Sequence, residues 1–173
     1  MDNTIKSLKK IKIDSLYGKK KHFNAADRIE KSHFSIGLPL IVINVITGSI
    51  LFSILTDNEI TWIKYIPPIF SFIAAILSSF QTYFNFPKIV EGHRRVGNKF
   101  LSVMKQCDIL QSFIADNLIN DENLILEIKN LTNIVEEINK EAESYPTSKK
   151  DFLLAKQEID SGDETYTETE LEL

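Results

Sequence analysis

Hydrophobic and polar residues are sorted into blocks along this chain. Residues 34–56 and 65–86, 23 and 22 positions long, contain no Asp, Glu, Lys, Arg or His. A helix rising about 1.5 Å per residue needs about 20 such residues to cross a hydrocarbon core about 30 Å thick. The pattern therefore predicts two membrane spans joined by a short loop. A soluble bundle explains it less well, because a helix of that length at a protein surface normally carries a charged face. A cleaved signal peptide also fits poorly, since the first block starts 33 residues in and no small-residue cleavage site follows it.

Outside these blocks the apolar residues recur at three- and four-residue steps. One series runs Phe100, Met104, Cys107, Leu110, Ile114 and Leu118, and a second runs Leu124, Ile128, Leu131, Val135, Ile138 and Ala142. The Asp- and Asn-rich stretch 116–123 separates them, with Asp121 as the expected N-cap of the second helix. This predicts a coiled-coil-like helical hairpin whose stripes are buried against each other, the N-terminal helix or another subunit. Residues 5–31 show a weaker rhythm interrupted by Gly18, and Gly37 with Pro39 is expected to bend or restart the helix entering the first span. The pattern over residues 65–118 reads as unbroken. The expected fold is all-α and oligomeric. Its parts are a cytosolic N-terminal segment (1–33), a two-span hairpin (34–86), a cytosolic helical hairpin (87–145) and an acidic tail (146–173).

Charge sets the orientation. Lys19, Lys20, Lys21, Arg28 and Lys31 precede the first span and Lys88, Arg94, Arg95, Lys99 and Lys105 follow the second, whereas the loop has Lys64 beside Asp57 and Glu59. Positive residues stay inside, so both termini are expected in the cytoplasm, with a multi-pass chain in the membrane. Trp62 and Tyr65 suit the headgroup layer, and Pro67 and Pro68 fall in the first turn of the second span, where missing amides cost nothing. Residues 1–110 hold 15 Lys/Arg against 8 Asp/Glu, and residues 111–173 hold 5 against 16. The basic half needs no nucleic acid to explain it, since anionic lipid attracts such a strip. Residues 157–173, with seven acids and no Lys or Arg, read as a flexible tail offering Tyr166 and residues 171–173 to a partner. The lone Cys107 excludes an intramolecular disulfide.

No catalytic pattern is present. His22, His33 and His93 are scattered, and there is no HExxH, paired CxxC, phosphate-cradling glycine loop or Ser/His/Asp arrangement. No enzyme, cofactor or metal site is expected. Polar and small residues inside the spans are more informative. Asn44, Thr47 and Gly48 form a stripe on the first, and Ser71, Ala74, Ala75, Ser78, Ser79, Thr82 and Asn85 form a broader face on the second, with Gln81 beside it. Such faces either seal helices together or, in an assembly of hairpins, hydrate a lumen.

Four segments are similar to the SLATT family of two-span bacterial proteins. They are GKKKHFNAADRIEKSHFSIGLPLIVINVITGS into the first span, SSFQTYFNFPKIVEGHRRVGNKFLSVMKQC out of the second, and YPTSKKDFLLAKQEI and GDETYTETEL in the tail. The resemblance implies a membrane effector of antiviral or other conflict systems. It would oligomerise and permeabilise the inner membrane when a neighbouring sensor, a nucleotidyltransferase making an oligonucleotide messenger or a reverse transcriptase, is triggered. The matching positions are His22, Phe23, Arg28, Gly37, Asn44, Gly48, Gln81, Asn85, Glu91, His93, Arg94, Arg95, Gly97 and Lys99. A different class of function also fits the residues, a membrane tether whose acidic tail recruits a cytosolic partner.

Overall fold

A computed structural model describes residues 2–56 and 61–166, and every regular element among them is helical. Asp57 and Glu59 of the loop, and residues 171–173, lie outside the described residues. The elements are α1 (Asp2–Thr56), a 3₁₀ turn (Thr61–Tyr65), α2 (Ile66–Phe84), α3 (Phe86–Ala115), α4 (Asp121–Ala142) and α5 (Lys149–Asp160). They divide into two compact units, residues 28–90 and residues 1–27 with 91–173.

In the first unit the later part of α1 runs antiparallel to α2. His33 packs near Phe86, their ring centroids 5.9 Å apart, and a Cβ on Gly37 would come within 2.9 Å of Gln81 Nε2. The two helices are long and apolar enough to cross a membrane. Their apolar side chains point outward: Leu38 is 67% exposed, Phe52 70% and Phe72 69%. Trp62 and Tyr65 are exposed beside them, and Pro67 and Pro68 occupy the first turn of α2 as expected.

Helix continuity departs from expectation at two places. α1 continues through Gly37 and Pro39 without a restart. A proline inside a long apolar helix forfeits one backbone bond, which is tolerable where the rest of the ladder and neighbouring groups hold the backbone. The second span, expected to run on unbroken, stops at Asn85, which adopts a left-handed conformation (φ 43°) and donates its amide to the Gln81 carbonyl. Asn tolerates that conformation better than most residues, and Pro87 fits only in the first turn of the helix that follows.

The second unit packs α3 and α4 as an antiparallel hairpin against the first part of α1. Its core is Leu8 from α1, Val96, Phe100, Val103, Cys107 and Leu110 from α3, and Leu131 and Ile138 from α4. Of the expected α3 stripe Phe100, Cys107 and Leu110 are buried, Met104 is only half-buried and Leu118 is exposed, and Val96 and Val103 complete the inward face. Burial pushes the Cys107 thiol up to about 11, and Asp108 adds to the effect. α3 ends on Asn117 (φ 54°), with the Leu118 amide reaching the Phe113 carbonyl. The N-cap of α4 is Asn120, whose side chain accepts from the Asn123 amide, so the cap sits one residue before the expected Asp121. The tail is not free up to the last described residues. Ser148 and Asp151 form a capping box that starts α5, Asp151 and Ala155 are buried, and Phe152 stacks on Tyr17 with ring centroids 5.7 Å apart.

Gly18 lies on the core face of α1, where a Cβ would meet the Phe100 ring at 2.8 Å. Phe100 is 3% exposed and has no room to swing aside. Gly18→Ala gains about 1 kcal/mol of helix propensity but overpacks a full core. The expected net result is a loss of about 1–2 kcal/mol in a thermal melt of the full chain. Phe100→Leu in the same chain should recover part of that loss.

Candidate functional site

The core stripes of α1 and α3 are polar at their centre. On α1 the inward positions are Leu8, Ser15, Gly18, His22, Ala25 and Ala26, and on α3 they are Gly92, His93, Val96, Gly97, Phe100 and Val103. Both series follow three- and four-residue steps, so the two helices bring His22 and His93 face to face. Their Nδ1 atoms are 3.1 Å apart, and the residues are 2% and 1% exposed. One imidazole must therefore carry its hydrogen on Nδ1 and donate to the bare Nδ1 of the other. Phe100 and Tyr145 close the pair in, with ring centroids 6.0 Å from His22 and 5.8 Å from His93.

Glycine makes this approach fit. A Cβ on Gly92 would fall 1.9 Å from Tyr145 Cε1, and one on Gly97 would lie 3.3 Å from the Phe23 ring. Tyr145 is held from its other side by Arg95, which donates to the phenol oxygen at 3.1 Å and to Glu141 at 2.7 Å. Lys99 reaches the second Glu141 oxygen at 2.5 Å. These hydrogen bonds and charges hold the Glu141 carboxyl below its usual range. Arg94, on the other side of α3, approaches Asp27 at 3.7 Å. The structure thus brings together His22, His93, Arg95 and Lys99 around one junction, while Arg94 and Glu91 remain exposed at its edge. Arg28 is exposed and belongs to the other unit.

The span residues form a separate group. Thr47 and Ala74 are buried, and Gln81 is half-buried beside Gly37. Asn44, Gly48, Ser71, Ala75, Ser78, Thr82 and Asn85 are exposed. Most of the polar face is therefore not used to seal the two spans of one chain together. Its hydroxyls bond back along their own helices, Ser79 to the Ala75 carbonyl at 2.8 Å and Thr82 to the Ser78 carbonyl at 3.0 Å.

The characteristic pattern of the SMODS and SLOG-associating 2TM effector domain family 4 matches residues 7–172. The chain belongs to this SLATT family. No curated protein and no solved structure matches it. With two helices that are long and apolar enough to cross a bilayer, this SLATT chain is a membrane protein of the two-transmembrane effector class. The motif positions His22, Phe23, His93, Arg95, Gly97 and Lys99 converge on the junction in the SLATT fold, a relation that reading them in sequence did not show. Glu141 and Tyr145 were missed altogether. The signal that could have found the junction is the spacing of small residues, since Ser15, Gly18, His22 and Ala25 continue the stripe that Leu8 begins.

Burial pushes the His22 pKa down to about 4, helped by the charges of His93 and Lys21 and opposed by Asp151. The folded SLATT chain therefore holds His22 neutral, whereas an unfolded histidine protonates near 6.5. Stability from this site is complete above pH 6.5 and is lost as pH falls toward 4. Between pH 7.5 and 5 the full chain should lose about 2 kcal/mol of unfolding free energy from this group, read by chemical denaturation. His22→Gln should flatten that slope; an unchanged slope would mean that another group sets it.

Proposed function

We propose that the chain is an effector that acts on the bacterial inner membrane. It threads the bilayer twice with both termini in the cytoplasm, self-associates through its spans, and opens a pore or disrupts the membrane when a partner sensor is triggered. The chain is not an enzyme in this reading, since its target is the bilayer and not a bond. The family description, which pairs a two-transmembrane effector with SMODS and SLOG modules, supports a trigger of the nucleotide-signalling class.

One observation carries the proposal. Ser71, Ala75, Ser78 and Thr82 on α2, Asn85 at its C-terminal end, and Asn44 on α1 are exposed on helices otherwise clad in Leu, Ile and Phe. Carboxamides facing hydrocarbon are costly, and covering them by a second copy or by a water-filled lumen removes that cost. Small residues along the same stripe let helices approach closely. The spans therefore have both a reason to associate and a polar surface to present once they do.

The cytosolic junction supplies the coupling. His22, His93, Tyr145 and the glycines pack without slack, so a signal that shifts α3 against α1 must exchange one packing for another. The tether reading is less well supported, because Glu158 and Glu164 of the acidic tail are engaged by Lys20, and Glu164 also by Lys19.

The test is the membrane potential of cells expressing the chain with its neighbouring sensor, together with dye release from liposomes bearing the purified chain. Depolarisation and release are expected. The Ser78→Leu/Thr82→Leu chain should insert normally yet release dye severalfold more slowly, while Phe72→Leu should behave as wild type. Equal release by all three chains would remove the stripe from the pore.

A further inference from the structure

Lys19 and Lys20 of the basic strip are largely covered, because the chain's own C-terminal segment lies across them. Lys19 Nζ meets Glu164 Oε2 at 2.5 Å, and Lys20 Nζ meets Glu164 at 3.1 Å and Glu158 at 3.5 Å. Asn24 adds its amide to the same group, donating to Glu158 at 3.2 Å and to the Asp151 carbonyl at 3.4 Å. The Lys19 side chain is only 9% exposed. A lysine that deeply covered needs a counter-anion for as long as it stays covered.

That anion comes from a lightly held segment. α5 buries only Asp151 and Ala155, while Phe152, Leu153 and Leu154 are 45–51% exposed. Glu164 lies beyond the end of the helix, past Gly162 with φ 87°. When this segment lifts, two ammonium groups and one amide, already gathered on one face of α1, lose their acceptors together. A group with several oxygens and at least one negative charge restores them, and phosphate is the chemistry lysine clusters hold in this way.

We propose that Lys19, Lys20 and Asn24 form a binding site for a phosphate group, which the carboxylates of Glu158 and Glu164 occupy until the C-terminal segment is displaced. The phosphate belongs either to an anionic lipid headgroup or to a soluble phosphate compound. The site stands whether or not the spans form a pore, so failure of dye release leaves it intact and its own failure leaves the pore reading intact.

The experiment measures the acylation rate of each lysine by mass spectrometry on the full chain. In detergent, Lys19 of the wild type should label far more slowly than the exposed Lys6 and Lys9. Glu158→Gln/Glu164→Gln, two surface changes checked for unaltered helicity, should release it to the faster rate. Inorganic pyrophosphate at ten times its dissociation constant should then slow Lys19 again about tenfold, with Lys149 and Lys150 unaffected. Protection by pyrophosphate assigns a soluble phosphate ligand. Protection only in phosphatidylglycerol nanodiscs, and not in phosphatidylcholine nanodiscs, assigns a lipid headgroup. If neither protects Lys19 in the variant, or if wild-type Lys19 labels as fast as Lys6, the site does not exist.

Discussion

A helix that turns leucine and phenylalanine outward around most of its circumference cannot remain in water, and this constraint governs the molecule. Burying one such side chain is worth about 1.5–3 kcal/mol, and residues 28–90 leave many of them uncovered. A helix with a single apolar stripe could hide it against one neighbour. Here Phe34, Leu38, Ile41, Val45, Phe52 and Leu55 are all exposed along α1, and one antiparallel partner has too little surface to cover them. Lipid and further copies of the chain are the environments that can. The polar stripe of α2 then acquires its meaning, because against an apolar background a row of Ser, Thr and Asn is an instruction about which face meets what.

The other unit obeys the opposite rule. It is built for water, with Leu8, Phe100, Leu131 and Ile138 at its centre and its charges paired at the rim. Within that apolar centre a pair of imidazoles is an expensive choice, tolerated because each ring meets the other at hydrogen-bond distance and burial keeps His22 neutral. Three glycines bring the backbones close enough for the pair to meet, and aromatic rings fill the space their missing side chains leave. Such an arrangement yields little to gradual deformation. A perturbation there is either absorbed by a neighbouring side chain or forces a change of packing, the behaviour expected of a two-state element.

Much of this architecture was legible in the residues. The charge-free blocks, the helical series of α3 and α4 and the prolines at the start of α2 each follow from local rules that the fold obeys. Relations made between distant segments were harder to read. Gly18 looked like an interruption because periodicity was counted in large apolar residues, whereas the face it occupies is selected for smallness by the Phe100 ring. Pro39 looked like a break because its lost hydrogen bond is local and the packing that outweighs it is not. Asn85 is the converse case, a break hidden in an apolar run, since nothing in the hydropathy of residues 65–118 marks a left-handed residue. α5 escaped notice because its 12 residues carry one short apolar run and no repeated helical series, so only the Ser148–Asp151 capping box marks where it starts.

The division of charge along the chain has a structural answer as well. A basic half and an acidic half would each seek a partner if left alone, the first an anionic surface and the second a cationic one. In the folded unit they find each other: Lys19 and Lys20 pair with Glu164, and Lys20 also with Glu158. Glu164 shows that the pairing is felt, since burial alone would push its carboxyl up, yet the hydrogen bonds and charges of the two lysines hold it below its usual range. A contact between opposite charges at a partly exposed surface is worth little by itself. Its consequence is local: whatever moves the segment away must leave the two lysines with another anion or with water in place of the carboxylates.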